Sequence, residues 1–370
     1  MKLSIPKKTI VGALSRVAPV ADAKASMPVL GTVKIIAEGE HLTLSATDLC
    51  IGSTVDVAAE VTRAGTCCVP AKSIYEMVKN APEADIALEL DEKGSLTIRA
   101  AKVKYKIGTM LGGDFPALPK PKEELFDRLP ARILADVLTL VSPSMSTDDT
   151  RPHLAAAKLE WGAGVLIGAS TDGHRLTKGE HKCPGAGFDA LVPHKGVRPI
   201  LSLAADLAKA SREATLEIQV RLGNLFVRAD GVTLSVKLAD EQFPPYAKVI
   251  PSRYKGRVVA RRDALIEATS RIALVQASQG NGIQIRFEPG VIRVQSANPE
   301  VGEGSEDIDI DYAGETLSVG FNAKYLLDAL RAFAGNEVAL ELGGELDPVV
   351  LKPIDTELEA LVVVMPMRIT

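Results

Sequence analysis

Ser170-Thr171-Asp172-Gly173-His174-Arg175-Leu176-Thr177 is the stretch from which this chain is best read. It follows the apolar run Val165-Leu166-Ile167, so it leaves a strand into a turn. Asp172-Gly173 is turn chemistry: the Asp side chain caps its own backbone and Gly supplies a positive φ. Two other stretches match it. Ser45-Ala46-Thr47-Asp48-Leu49 follows Leu42-Thr43-Leu44, and Ser296-Ala297-Asn298-Pro299 follows Val291-Ile292-Arg293-Val294. Asp48 to Asp172 is 124 residues and Asp172 to Asn298 is 126, which marks a repeat.

Other landmarks keep the same period. Val69-Pro70-Ala71-Lys72, Val192-Pro193-His194-Lys195 and Phe321-Asn322-Ala323-Lys324 each open a helical pattern, 123 and then 129 residues apart. Thr109-Met110-Leu111-Gly112-Gly113-Asp114-Phe115-Pro116 closes the first unit, Lys237-Leu238-Ala239-Asp240-Glu241-Gln242-Phe243-Pro244 the second, and Val362-Val363-Val364-Met365-Pro366 the third. A solenoid repeats every 20–50 residues or so, whereas this period is the length of a domain. The chain is expected to be three copies of one domain, over residues 1–122, 123–250 and 251–370.

Each copy reads as strand, helix and three strands, twice over, an α+β pattern. Helices are expected over 6–18, 71–80, 131–141, 195–210, 261–274 and 323–334, with Pro199 in the first turn of the fourth. In the first copy, strands are expected over 33–36, 41–45, 53–61, 86–90, 95–101 and 103–109. Pro119-Lys120-Pro121-Lys122-Glu123-Glu124 and the stretch from Pro244-Pro245-Tyr246 to Lys255-Gly256 read as linkers.

With 46% hydrophobic and 24% charged residues, each copy can bury a core. No run approaches the roughly 20 apolar residues of a membrane span, and Met1-Lys2-Leu3-Ser4-Ile5-Pro6 lacks the apolar core of a signal peptide. Cys50, Cys67, Cys68 and Cys183 lack metal spacing and read as reduced thiols, so a cytoplasmic protein is expected.

The formal charge is −4, yet the helices lean basic on their polar sides. Lys7, Lys8, Arg16, Lys72, Lys79, Arg198, Lys209, Arg261, Arg262, Arg271, Lys324 and Arg331 lie there, with Glu76, Asp206, Asp263, Glu267 and Asp328 among them. Positive charge gathered on one face of an acidic chain focuses potential on a polyanion. Such contacts go to phosphates, independent of sequence and sensitive to salt. There is no recognition-helix signature, and aromatics make up 4%.

An enzyme reading has little to stand on. Asp172 and His174 can be read as a base and its orienting acid, with Arg175 clamping an anion, but the other copies have no equivalent His. No phosphate-binding loop, dinucleotide fingerprint or nucleophile elbow is present. Asp307, Asp309 and Asp311 alternate along a strand and read as an acidic edge ahead of a metal site.

The triplicated domain, Thr171-Asp172-Gly173-His174-Arg175-Leu176, Asp114-Phe115-Pro116 and the terminal Val364-Met365-Pro366-Met367-Arg368-Ile369 together resemble the bacterial β sliding clamps, the processivity subunits of DNA polymerase III. The resemblance covers the whole chain. It implies three tandem DNA-clamp domains and a head-to-tail homodimeric ring, with strands outside and helices lining a hole that holds double-stranded DNA. It also implies no catalysis and no cofactor. The partners implied are the polymerase III α subunit, the clamp loader, and other polymerases and repair proteins carrying a short clamp-binding motif.

The resemblance further implies a peptide pocket between the second and third domains, at Leu154, Thr171, Gly173, His174, Arg175, Leu176, Pro244, Lys248, Val249, Asn322, Tyr325, Leu346, Pro348, Val363, Val364, Met365, Pro366, Met367 and Arg368. In that reading His174 and Arg175 form the rim, and Leu176, Val363 and Met365 the floor. DNA contacts are implied at Lys24, Arg151, His153 and Lys195, within or near the loop over 146–153 for two of them. A dimer interface is implied at Lys72, Tyr105 and Ile107 against Leu274 and Val275. Three features depart from the family pattern: Lys248 in place of a pocket-edge Arg, no aromatic in Ser278-Gln279-Gly280-Asn281-Gly282, and Thr370 as an added terminal residue.

Overall fold

A computed structural model of the chain describes residues 1–148, 150–185, 187–275 and 282–368. The first copy runs β1 (Lys2–Ile5), α1 (Lys7–Val17), β2 (Thr32–Glu38), β3 (His41–Thr47), β4 (Ile51–Ala58), β5 (Glu60–Arg63), β6 (Gly65–Pro70), α2 (Ala71–Lys79), β7 (Ile86–Leu90), β8 (Ser95–Ala100) and β9 (Val103–Gly108). The second runs β10 (Asp127–Pro130), α3 (Ala131–Val141), β11 (Ala156–Gly162), β12 (Val165–Thr171), β13 (Arg175–Lys182), β14 (Phe188–Pro193), α4 (His194–Ala210), β15 (Thr215–Arg221), β16 (Asn224–Ala229) and β17 (Val232–Lys237). The third runs β18 (Gly256–Arg261), α5 (Arg262–Ile272), β19 (Gly282–Glu288), β20 (Val291–Asn298), β21 (Gly302–Asp309), β22 (Leu317–Asn322), α6 (Ala323–Ala332), β23 (Glu337–Leu342), β24 (Val349–Pro353) and β25 (Glu359–Val364). Among the described residues, strand–helix–three strands recurs six times, with β5 the one extra strand.

A proline sets four of the six strand-to-helix corners. Pro6, Pro70, Pro130 and Pro193 hold the N-cap positions of α1 to α4, with φ between −53° and −59°. The ring fixes that φ, and the missing N–H is not needed at the edge of a helix. Asn322 does the work for α6, its side chain accepting from the amides of Lys324 and Tyr325.

Contacts divide the chain into two compact units. The first holds Met1–Leu129, Arg198–Asp206 and Ala214–Leu238. Its sheets run β5-β1-β7-β8-β9 and β10-β15-β16-β17-β4-β3-β2-β6. The larger sheet crosses from the second copy to the first by the β17–β4 ladder, with Val232 opposite Val55 and Val236 opposite Ile51. Arg16 of α1 donates to Ser202 and Asp206, both in the part of α4 that belongs to this unit, at 3.1 and 2.5 Å.

The second unit holds Pro130–Val197, Leu207–Glu213 and the chain from Ala239 on. Its sheets run β14-β11-β12-β13-β25-β24-β23-β18 and β21-β20-β19-β22. Here β13 and β25 join the second copy to the third, with Arg175 opposite Val364 and Leu176 opposite Val363. One side of the larger sheet carries α3, α5 and α6 over a core that includes Leu265, Phe287, Phe321, Leu330, Leu351, Val362 and Val364. Gly168 and Gly179 let α3 lie close, since a Cβ at either would collide with Val137 or Leu140.

Two expectations need correction. The strand expected over 53–61 is two: β4 ends at Ala58 and pairs with β3 and β17, while β5 starts at Glu60 and pairs with β1 in the other sheet. Pro199 lies in the second turn of α4, not its first, because the helix already starts at His194. The helix loses one backbone hydrogen bond there and continues to Ala210.

Candidate functional site

The second unit concentrates chemically distinctive side chains where β13 begins. Asp172 makes the turn: its Oδ1 accepts from the amides of His174 and Arg175 at 2.9 and 3.1 Å. Gly173 holds φ +94°, which an L side chain rarely adopts. Thr171 Oγ1 donates to the Arg175 carbonyl at 2.6 Å and accepts from the Gly173 amide at 3.2 Å. The turn is therefore held by its own side chains, and β13 starts from a fixed point.

From there, side chains alternate between the faces of the sheet. Leu176, with Val363 and Val350 on neighbouring strands, forms a small buried cluster on the face away from the helices. Tyr246, Ile250 and Leu361 pack against it. The Tyr246 hydroxyl donates to Glu160 at 3.3 Å, and burial, with Glu160 beside it, pushes its phenol up to about 12. Val249, Leu346 and Met365 are left 50%, 61% and 41% exposed. Each follows or precedes a member of the cluster closely in sequence, Val249 before Ile250, Leu346 before Val350 and Met365 after Val363. Exposed apolar side chains gathered at one place mark a contact site, whereas single scattered ones do not.

The terminal segment is pinned. Met365 N–H donates to the His174 carbonyl at 3.0 Å, and Met367 N–H to the Gly320 carbonyl at 2.9 Å. Across from it the His174 ring stacks on Tyr325, centroids 6.2 Å apart and 20° from parallel. Leu154 is buried and Lys248 exposed. The arrangement presents flexible methionine and aliphatic side chains next to an aromatic pair, chemistry suited to an apolar peptide side chain.

Arg175 does not belong to the rim. Its side chain is 4% exposed and points to the helix side, where Nε donates to Asp172 at 3.0 Å and Nη1 to Asp328 at 2.8 Å. Nη2 donates to the Pro143 carbonyl, and the guanidinium lies 4.4 Å from the centre of the Tyr325 ring. Val364 is likewise part of the main core. Met365 is exposed and forms an edge, so the floor is Leu176, Val363 and Val350. The sequence reading missed Val350, Tyr246, Ile250 and Leu361. Tyr246 alone carried a signal, as the third residue after Phe243 in a repeated linker.

Asp172 also has no free role as a base, because its carboxylate is committed to the turn and to Arg175. Asp307 is engaged by Arg293 at 2.8 and 2.9 Å on the edge strand β21. Among the described residues no group of three or more His, Cys, Asp or Glu is arranged to hold a metal. The four cysteines are free, with Cys50 exposed and the others buried.

The remaining expected residues fall in both units. Lys24 in the first unit and Lys195 in the second are exposed. Arg151 is ion-paired to Asp148 at 2.9 Å, and His153 is half-buried. In the first unit Tyr105 and Ile107 share one face of the edge strand β9, with Lys72 exposed on α2. In the second Leu274 is 81% exposed just after α5, with Val275 beside it half-buried. Positions 278–281, Asp149 and Thr370 lie outside the described residues. Of the expected basic residues on the helices, Lys7 reaches Glu83, Arg16 Asp206, Arg262 Asp263 and Arg271 Glu306. Among the described residues no helix is long and apolar enough to cross a membrane.

Comparison with known proteins agrees along the whole chain. Family models for the DNA polymerase III beta subunit match in order: its N-terminal domain at residues 1–119, its central domain at 128–245 and its C-terminal domain at 247–368. A beta sliding clamp of Pseudomonas putida is 31% identical, with all of both chains covered. The crystal structure of the DNA polymerase III subunit beta from Pseudomonas aeruginosa superposes with a TM-score of 0.90 at 28% identity over all of both chains. The same organism's sliding clamp bound to griselimycin superposes at 0.91, also at 28% identity and full coverage. With three matched domains, the repeated strand–helix pattern and a full-length relative, the chain belongs to the DNA polymerase III beta subunit family, the bacterial sliding clamps.

Proposed function

We propose that the protein is a DNA polymerase processivity factor, without chemistry of its own, that closes into a head-to-tail dimeric ring around duplex DNA. Its three domains divide at 122/123 and 250/251. The observation that carries closure is the strand order. In each half-domain the third strand after the helix lies at the end of that half's own run of strands, and four of the six pair there across domains: β4 with β17, β13 with β25. Two strands of this class are left at sheet edges, β9 and β21. Their charges are opposite: β9 carries Lys104 and Lys106, β21 carries Glu303, Glu306, Asp307 and Asp309. Pairing β9 of one copy with β21 of another removes both edges, sets the direction and repeats the ladder already used twice. Tyr105, Ile107, Leu274, Val275 and Lys72 would flank that contact.

Light scattering should give twice the 39.2 kDa chain mass. Lys104→Glu with Lys106→Glu should shift it toward the monomer, and Glu303→Lys with Glu306→Lys should restore the pair when mixed in. A wild-type monomer at micromolar concentration would refute the ring.

DNA would be held by topology and a diffuse positive potential, with Lys24, Lys195, Arg151 and His153 near phosphates. Lys24→Glu with Lys195→Glu should lower processivity and leave the dimer intact. The groove at the start of β13 would take the apolar end of short motifs carried by the polymerase α subunit, the clamp loader, other polymerases and repair proteins. A Gln-x-x-Leu-Phe peptide should bind once per protomer at micromolar strength, about 8 kcal/mol. No binding of any such peptide by calorimetry would remove the groove.

A further inference from the structure

The two cross-domain ladders are built on one plan, and the difference between them gives the first linker a role. At the second ladder Met365 N–H donates to the His174 carbonyl at 3.0 Å, and at the first Lys237 N–H donates to the Cys50 carbonyl at 2.8 Å. That hydrogen bond fixes the correspondence: Cys50 stands where His174 stands, and Gly52 where Leu176 does, 124 residues apart in each case. The pair Leu176 and Val363 at the groove floor becomes Gly52 and Ser235 at the first ladder.

The surroundings also correspond. Leu222, 80% exposed on the β15–β16 hairpin, precedes Leu346, 61% exposed on the β23–β24 hairpin, by 124 residues. Leu49 is 56% exposed at the counterpart of Gly173. The Leu238 amide donates to the Gly223 carbonyl at 2.8 Å, which brings the Leu222 hairpin to the end of β17 beside Cys50. A rim of exposed leucines therefore exists at the first ladder too.

What differs is the side chain over the floor. A Cβ placed on Gly52 would lie 2.5 Å from Ser235 Oγ and 3.1 Å from Leu118 Cδ2, so Leu118 rests on the space that Leu176 fills in the other ladder. Leu118 is third after Phe115, as Tyr246 is third after Phe243. Tyr246 is kept above a floor of large side chains, with its hydroxyl on Glu160. Leu118 also packs against Val29, Cys68 and Phe115. The linker following it is tied to β15, where Lys122 N–H donates to Gln219 Oε1 at 2.9 Å and Gln219 Nε2 to the Lys122 carbonyl at 2.8 Å.

We propose that the first ladder carries a second copy of the peptide groove, closed in cis by Leu118, whose natural ligand class is the same apolar-ended extended peptide. The small floor pair lets the linker's own leucine take the seat, so the protein offers one open groove per protomer. This rests on the groove reading given above for the second ladder.

The test is calorimetric titration of the full-length protein with the Gln-x-x-Leu-Phe peptide. The wild type should bind one peptide per protomer. Leu118→Ala should add a second, weaker phase and raise the stoichiometry to two, and Leu118→Met, which refills the seat, should return it to one. Leu118→Ser, which also empties the seat, should likewise give two and serves if Leu118→Ala fails to melt cooperatively. One peptide per protomer in both Leu118 variants that empty the seat, with wild-type binding intact, overturns this proposal alone. No binding to the wild type would end both this proposal and the groove on which it rests.

Discussion

Arg175→Ala should be among the most damaging single substitutions in the second unit, although the residue belongs to a motif that reads as a binding site. Its side chain is 4% exposed and is shared by Asp172, 13% exposed, and Asp328, 25% exposed. Truncation leaves two carboxylates partly buried without their common counter-ion, and it unpairs the Pro143 carbonyl. Removing one partner of a buried ion pair costs about 3–5 kcal/mol. Lys324, 3.9 Å from Asp328, can recover part of that, and the loss of the guanidinium over Tyr325 adds to it. The expected loss is about 4 kcal/mol, or roughly 10 °C in Tm at the 2–4 °C per kcal/mol usual for units of this size. Arg175→Lys should recover little, because one ammonium cannot reach two carboxylates and a carbonyl in a fixed fork. Urea denaturation followed by circular dichroism measures it. A loss below about 1 kcal/mol would show that the network is solvated and that the reasoning fails.

Two further outcomes follow from the same unit. Tyr246 keeps its phenol proton to about 12 in the folded protein against 10 for the free group, so the unfolded chain ionises first. Stability should fall as pH rises from about 10 towards 12, and Tyr246→Phe should flatten that decline in melts run across the range; an unchanged slope would contradict it. Gly168→Ala puts a methyl into Val137 beneath α3 and should cost about 1–3 kcal/mol by overpacking, read as a shift in urea midpoint at constant slope.

Much of the fold was legible because its signals are local. The α3 bounds, Ala131–Val141, follow from Pro130 before the helix, Pro143 after it and an unbroken apolar stripe between. The break at Ala59 was not legible, since the alternation of Val55, Val57 and Val61 continues through it and only the choice of sheet separates β4 from β5. The site divides in the same way. Thr171, Asp172 and Gly173 announce a turn from their own chemistry. Which of Arg175 and Leu176 faces the groove depends on strand parity, and a one-residue step exchanges core for surface. Val350 and Ile250 arrive from distant strands and linkers by register alone, and no local pattern marks them.

That parity ties assembly to recognition. The ladder that joins the second copy to the third sets Arg175 and Val364 into the core with one set of side chains, and Leu176 and Val363 into the groove floor with the next. The groove therefore has no existence apart from the junction: if β25 slipped by one residue, Val362 or Val364 would face outward and the floor would lose its cross-strand pair. The Met365 amide bonded to His174 and the Met367 amide bonded to Gly320 hold the register at the point where slippage would begin. Arg175, reaching from β13 of the second copy to Asp328 on α6 of the third, ties the two copies together from the helix side. On the proposed ring and groove, recruitment requires correctly joined domains, and one strand pair supplies that coupling without a separate sensing element.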